Sequence, residues 1–382
     1  MNSIAIDSSI LVTTFRRPRH LQLVLESIAG QRGGNHDFEV IVSDDGSDDG
    51  TAEVVAAFAT RAAFPVRFTT QPHAGFRLAR VRNNAARLAR GRYLLFLDGD
   101  CVLPSHHLAA HRLRRRPGAA LLGYCARLSE VVSRPLLEQG LEHGLKQQNP
   151  AHRTLANLVT REEAKFLAHR HRRAWWHGLI RHPTKPRLAG GDFGVWRADF
   201  ELVNGFDERF EGWGQEDDDL GVRLRAAGVH LASILDATCS LHVWHPTDPT
   251  ATRRWRDGAN VGYFARRGKL TVCRQGIVTR DRHSILWGLP RTLAVTPLGR
   301  LVQNQLAGCP IAAPGGACEI EIAIATPATR FTRRAEKRLL FADRGTTQNQ
   351  QLIAAADHMT VIETVGREET AAEISAVLDA AG

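Results

Sequence analysis

The chain has 382 residues, a formal net charge of +10, and 43% hydrophobic and 24% charged residues, the composition of a soluble globular protein with room for one large domain and an appendage. It contains no run of about 18 apolar residues, and the polar "MNSIAIDSS" passes directly into "ILVTTF" with no signal-peptide pattern, so a cytosolic protein is expected. Cys101, Cys125, Cys239, Cys273, Cys309 and Cys318 show no C-x-x-C spacing, which gives neither a zinc-site signature nor a disulfide framework and argues for free, mostly buried thiols.

In chain order, the strand-like "SSILVTTF" is followed by a helix over about 19–31, with Leu21, Leu25 and Ile28 on one side. Then "FEVIVSDDG" leads into "TAEVVAAFATRAA", "VRFTT" into "RLARVRNNAARLAR", and "RYLLFLDGD" into a helix starting near Pro104. Strands alternating with helices of this length predict an α/β fold built on a doubly wound, mostly parallel sheet. Ligands of such sheets bind beyond the carboxyl ends of the strands, and three of those ends are polar: Thr13–Arg16, Asp44–Ser47 and Asp98–Asp100. "DDGS" by itself is more often a turn or helix cap than a binding motif, since Asp, Gly and Ser are turn formers. Residues 125–185 read as helical and basic. "RLAGGDFGVWRADF" resumes with a strand and a short helix, "VHLASIL" and "CSLHVWHP" are strand-like, and 250–267 suits a basic amphipathic helix. Past residue 280 the chain is Pro/Gly-punctuated, then alternates strand-like and helical runs, without a usable motif. The expected division is 1–124, 125–270 and a C-terminal extension over 271–382.

The positive charge is nearly all arginine, densest in "HRLRRRP" (111–117) and "HRHRRAWW" (169–176). Arginine suits phosphate through its planar fork of donors. No nucleic-acid motif accompanies the patches, so no nucleic-acid partner is expected, and an anionic membrane surface is the better motivated contact. Against this background "GWGQEDDDLGVRL" (212–224) places Glu216, Asp217, Asp218 and Asp219 in a row. Helix N-termini favour acids, but adjacent like charges repel, so the surplus points to a proton, a hydroxyl or a cation. Asp219 is the one best suited to simple helix-dipole complementarity.

The ordered set "ILVTTFRRP", "VIVSDDGSDDGT", "GFRLARVRNNA", "YLLFLDGDC", "AGGDFGVWRADFELVNGFDERFEGWGQEDDDLGVRL" and "HVWHP" resembles the family 2 glycosyltransferases of GT-A fold. Its second half is similar to the galactosyltransferase-type module of β-1,4-galactosyltransferases and chondroitin-type polymerases, and the resemblance spans about residues 8–265. It implies an inverting enzyme that moves a sugar from a nucleoside-diphosphate sugar, most often a UDP-sugar, to a hydroxyl of a glycan or lipid-linked saccharide. The implied setting is bacterial cell-surface polysaccharide or lipopolysaccharide synthesis, in the cytoplasm or peripherally on the inner face of the membrane. It also implies a divalent cation, Mn2+ ahead of Mg2+, since oxygen-ligated divalent ions stabilise a departing diphosphate.

Residue by residue, Asp98-Gly99-Asp100 matches the family's DxD, with Asp100 on the metal and Asp98 on the ribose or the metal. His242 or His245 is the implied third ligand, a role neutral imidazole fills. Thr13, Phe15, Arg16, Asp45 and Arg82 fall at donor-binding positions, Asp45 at the carboxylate that reads the uracil edge. Gly190 and Gly191 match a pair that lets the backbone approach the donor. Asp217 matches the general base, with Glu216 beside it, while Asp218 and Trp213 match acceptor contacts. Asp192 departs from the pattern, where relatives often carry a neutral residue, and bears on the donor sugar. The competing expectation is a non-catalytic nucleotide-sugar or carbohydrate-binding module, which has no need of a base beside an acceptor.

Overall fold

The structure, a computed structural model, describes residues 6–32, 37–147, 154–182, 184–246, 256–266, 271–291, 293–326, 329–331, 335–343, 350–362 and 368–381. The chain forms two compact units, Met1–Asn260 and Val261–Gly382.

In the first unit, β1 (Ser8–Thr14), β2 (Phe38–Asp44), β3 (Val66–Thr70) and β4 (Tyr93–Asp98) alternate with α1 (Pro18–Ala29), α2 (Thr51–Ala59) and α3 (Leu78–Leu88). Next come β5 (Cys101–Val102), α4 (His107–Arg114), β6 (Ala119–Leu122), β7 (Cys125–Arg127), α5 (Glu130–Gln147) and α6 (Arg161–Leu179). The unit continues with β8 (Asp192–Trp196), α7 (Arg197–Leu202), α8 (Glu216–Ala226), β9 (His230–Ser233) and β10 (Ser240–His242). Seven strands form one sheet in the order β3-β2-β1-β4-β8-β6-β9. β1 pairs in parallel with β2 and β4, and β2 with β3. β8 runs antiparallel to both neighbours, and β6 and β9 pair in parallel. The mostly parallel α/β expectation therefore holds, with β8 as the reversed strand.

The sequence pattern explains this layout. β1 and β2 are buried at every position, as expected of strands covered on both faces. α1 turns Leu21, Val24, Leu25 and Ile28 into the core, the i, i+3, i+4 spacing that puts side chains on one helix face. Because β2, β1 and β4 are neighbours, the three polar strand ends lie side by side: Thr14 is opposite Asp44 and Thr13 is opposite Asp98. A small second sheet, β5-β10-β7, sits just past β4. Its antiparallel β5–β10 register sets His242 against Cys101.

The second unit has a parallel sheet in the order β11 (Trp287–Gly288), β12 (Cys318–Ile324), β13 (Ala335–Asp343) and β14 (His358–Ile362). Helices Pro297–Gln305, Gln350–Ala355 and Glu368–Ala381 lie between or after these strands. Its core is built around Trp287, Ile320, Ile322, Phe341, Ile374 and Leu378. Of the basic helix expected over 250–267, Ala259–Arg266 is helical; residues 250–255 lie outside the described residues. All six cysteines are free, with the Cys101 and Cys125 sulfurs 3.1 Å apart.

Candidate active site

The Asp44-Asp45 pair divides its work. Asp44 caps the turn, accepting from the Gly46 and Ser47 N–H groups, the Ser47 hydroxyl and Thr70 Oγ1. Gly46, at φ +82°, completes this turn: a Cβ there would lie 2.6 Å from the His73 nitrogen. Asp45, also buried, accepts from Gln71 Nε2 at 2.6 Å and lies 3.1 Å from His73 Nδ1. The His73 ring stacks on Phe15 with centroids 4.3 Å apart and 10° between planes. Phe15 and Asp45 thus line one end of the crevice, joined by Gln71 and His73, while the Thr13 hydroxyl donates to Asp98 Oδ1 at 3.3 Å. The sequence had singled out neither of these two, since "QPHAG" carries no signal beyond loop composition. Arg16 instead points outward, its backbone at φ +50° and its guanidinium 2.9 Å from Asp48. Its neighbour Arg17 turns inward to Asp100 Oδ2 at 2.8 Å.

Arg82 is fully buried, where the pattern of α3 alone would equally place a solvent-facing arginine. Its Nη1 donates to Asp217 Oδ1 at 2.6 Å and its Nη2 to Asp98 Oδ1 at 3.1 Å. It therefore bridges the end of β4 and the start of α8. Burial works against its charge, but Asp217, Asp98 and Glu216 overcome that and raise its pKa further. The Gly190 N–H donates to the other Asp217 oxygen at 3.0 Å. A Cβ at Gly190 would lie 2.2 Å from Asp217 Oδ1 and 2.5 Å from the Arg82 guanidinium, and one at Gly191 3.0 Å from Asp98 Oδ2. The glycine pair thus makes room for the site's own charged side chains.

α8 begins after a loop with Gly212, Gly214 and Gln215 all at positive φ, and Asn260 Nδ2 braces it by donating to Gly214 O at 2.9 Å. Trp213 in this loop is half-buried. The four acids that follow have four environments. Glu216 is buried, and burial together with the Asp217 charge pushes its carboxyl up to about 8. Asp217 is a quarter exposed and held by Arg82. Asp218, whose pKa burial raises, lies 3.6 Å from Arg187. Asp219 overturns the helix-dipole expectation: it is buried and pairs with buried Arg223 at 2.8 Å, while Arg223 also donates to Val203 O and Gly205 O.

On the other side of Asp98, the ligand-type atoms of Asp100, His242 and His245 all lie within 4.8 Å of one another. Asp100 Oδ2 is 3.3 Å from His245 Nε2 and 3.7 Å from His242 Nε2. The β5–β10 register and the bond from Val243 N–H to Asp100 O bring these segments together. The structure thus gathers both histidines of "LHVWHP". Burial alone would raise the Asp100 carboxyl, but His245, His242 and Arg17 outweigh it and hold it well below the carboxylate range. Burial lowers the His242 pKa and favours its neutral form. The His245 Nδ1 lies 2.8 Å from Pro246 O, an arrangement that leaves Nε2 as the ligand atom. One carboxylate and two imidazoles fit a first-row divalent cation. Asp98 stands outside this trio, its Oδ1 occupied by Arg82 and Thr13. Beside the trio opens a cleft of about 470 Å3 lined by Arg16, Arg17, Arg19, His20, Arg134 and Trp244, among others.

Asp192 faces away from this crevice. It is the first residue of β8, and successive strand residues point to opposite faces: Gly191 faces Asp98, whereas Asp192 contacts His107 and the Ser240 N–H. The arginines of 111–117 are largely engaged as well, Arg112 with Asp37, Arg114 with Asp236 and Arg115 with Asp7. α6 presents Trp175, Trp176 and Leu179 outward, followed by exposed Ile180. Among the described residues no helix is long and apolar enough to cross a membrane.

Residues 9–112 match the model of glycosyl transferase family 2, and residues 181–244 that of the N-terminal domain of galactosyltransferase. A validoxylamine A glucosyltransferase from Streptomyces hygroscopicus subsp. limoneus is 33% identical over 244 residues, 58% of this chain and 49% of that one. A chondroitin synthase from Pasteurella multocida (strain Pm70) is 24% identical over 260 residues, 65% of this chain and 26% of that one. A solved mannosyltransferase from Pyrobaculum calidifontis, in complex with GDP-Man and Mn2+, aligns with a TM-score of 0.44 at 19% identity, covering 66% of this chain and 63% of that one. The chain spans about half the length of the validoxylamine A relative. Both matched segments contribute side chains to the crevice, so the chain carries a family 2 glycosyltransferase region joined to a galactosyltransferase-type segment.

Proposed function

We propose that the chain is an inverting glycosyltransferase that moves a sugar from a nucleoside-diphosphate sugar, a UDP-sugar first among them, to a hydroxyl of a glycan or lipid-linked saccharide. The observation that carries this reading is the convergence of a cation-type trio, Asp100, His242 and His245, and an acidic helix start, Glu216 to Asp218, on the two sides of Asp98 and Arg82. The validoxylamine A glucosyltransferase and chondroitin synthase relatives are in keeping with a sugar-transfer role.

Phe15, Asp45 and His73 offer the base moiety a stacking face and a hydrogen-bond acceptor. A divalent cation, Mn2+ ahead of Mg2+, held by Asp100, His242 and His245 would neutralise charge on the departing diphosphate. Arg17 and the basic cleft beside it add donors suited to phosphate oxygens. Asp217 is the general base: it takes the proton from the acceptor hydroxyl, whose oxygen bonds to the anomeric carbon as the bond from that carbon to the diphosphate breaks. Arg82 and the Gly190 N–H orient the Asp217 carboxylate, which retains lone pairs for this proton. Trp213 and Asp218 serve the acceptor, the ring as an apolar face and the carboxylate as a hydrogen-bond acceptor.

A second contact, with an anionic membrane surface where lipid-linked acceptors reside, is favoured by the α6 face, which combines exposed Trp175, Trp176 and Leu179 with exposed Arg172 and Arg173. The central test is Asp100→Ala in chelator-treated buffer resupplied with Mn2+, measured as donor hydrolysis and transfer across a panel of UDP-sugars. Wild type should regain activity and the variant should not. Full activity of the variant would remove the cation site, and donor binding by wild type without turnover would favour the binding-module reading.

A further inference from the structure

A second cluster of metal-ligating side chains lies inside the first unit, between α4 and β8, and the transfer reaction does not use it. His107, His111 and Asp192 are 0%, 2% and 0% exposed. Their ligand-type atoms lie within 4.8 Å of one another. His107 Nε2, His111 Nε2 and Asp192 Oδ1 are all buried without a hydrogen-bond partner. Three orphaned polar atoms in one cluster of a protein interior are costly unless something there satisfies them.

The surroundings orient these atoms inward. His107 and His111 are four residues apart on α4 and so share a face. The far nitrogen of each ring is held by a hydroxyl: His107 Nδ1 lies 2.9 Å from Thr238 Oγ1, and His111 Nδ1 lies 3.0 Å from Tyr93 Oη. Asp192 Oδ2 accepts from the Ser240 N–H at 3.2 Å. Such partners fix the tautomer and direction of metal-binding imidazoles and carboxylates. His107 Nε2 and Asp192 Oδ1 are 3.4 Å apart. That separation is too long and poorly aligned for a good hydrogen bond. It does match the edge of a tetrahedron with ligand bonds of about 2.0–2.2 Å.

We propose that His107, His111 and Asp192 form an internal site for a zinc-class divalent ion, separate from the Asp100 trio. Two imidazoles and one carboxylate supply three positions of a tetrahedral set and leave the fourth to a small ligand such as water. The site is structural, since it has no exposed side chain. It fastens α4 to the leading end of β8, immediately after Gly190 and Gly191, and so holds the strand whose approach packs Asp217, Arg82 and Asp98 together.

The experiment uses the full chain with Asp100→Ala and His245→Ala, which disables the Asp100 trio, expressed with Zn2+ or Co2+ and dialysed. One equivalent of metal should remain bound, and the Co2+ form should show the visible absorption of a tetrahedral nitrogen–oxygen site. Adding His111→Gln should abolish both and lower the thermal midpoint. Should that variant fail to fold, the parent decides the question: prolonged chelation should lower its midpoint by several degrees and Zn2+ should restore it. No retained metal in the parent, with a midpoint indifferent to Zn2+ and chelator, would overturn the proposal and leave a His107–Asp192 ion pair. Equal retention in a folded His111→Gln variant would overturn the ligand assignment.

Discussion

Replacing Glu216 by Gln separates the two adjacent carboxyl groups at the start of α8. Burial and the Asp217 charge move the Glu216 carboxyl from 4.5 to about 8, against the opposing pull of Arg82. At pH 7 the group is therefore mostly protonated, and Gln is close to it in shape and charge. The folded state holds this proton more tightly than the unfolded chain does. Its contribution to stability is complete below about pH 4.5 and is lost as pH rises to about 8, with a limiting slope of about 1.4 kcal/mol per pH unit. Gln has no proton to lose, so Glu216→Gln should gain on wild type as pH rises to about 8, hold that gain above it, and be the more stable protein at pH 8–9. Denaturant unfolding of both proteins from pH 6 to 9, with midpoints and slopes fitted separately, measures the divergence. Turnover at pH 7 should stay within a few-fold of wild type. Parallel stability curves would refute the buried neutral acid, and a collapse of turnover at pH 7 would transfer the base from Asp217 to Glu216.

Asp217→Asn keeps shape but removes basicity, so turnover should fall by about a hundredfold or more while donor affinity measured by calorimetry stays near wild type; near-normal turnover would sink the base assignment. Asp219→Asn removes the counter-charge of the buried Arg223 guanidinium and should cost about 3–5 kcal/mol, the usual penalty for breaking a buried pair, rather than the few tenths that a helix-dipole role implies. A loss below about 0.5 kcal/mol in chemical denaturation would contradict the pairing seen here. Trp175→Ser with Trp176→Ser should weaken sedimentation with anionic vesicles, and wild-type binding should decline with salt as charges are screened over about 8 Å. Equal binding to neutral vesicles would remove the electrostatic part.

Local pattern was enough to read the alternation of strands and helices, because burial imposes a period of two or 3.6 on apolar residues wherever an element meets a core. It was also enough to read the polar strand ends, because Asp, Gly and Thr there serve neither core nor helix. Side-chain direction was another matter. Arg16 and Arg17 are adjacent and chemically identical, yet one meets solvent-facing Asp48 and the other Asp100, since the left-handed backbone at Arg16 rotates the pair. In "EDDD" the helix turns about 100° per residue, which sends Asp219 into the interior toward Arg223 while Asp217 meets Arg82 from α3. Gln71, His73 and the α4 histidines acquire their roles from partners between 18 and 131 residues away in sequence. Charge and residue type are properties of the chain, so the sequence alone determined the chemistry available. Which carboxylate is ionised, paired, neutral or poised for a metal depends on desolvation and on neighbours delivered by other strands and helices, and those exist once the chain has folded.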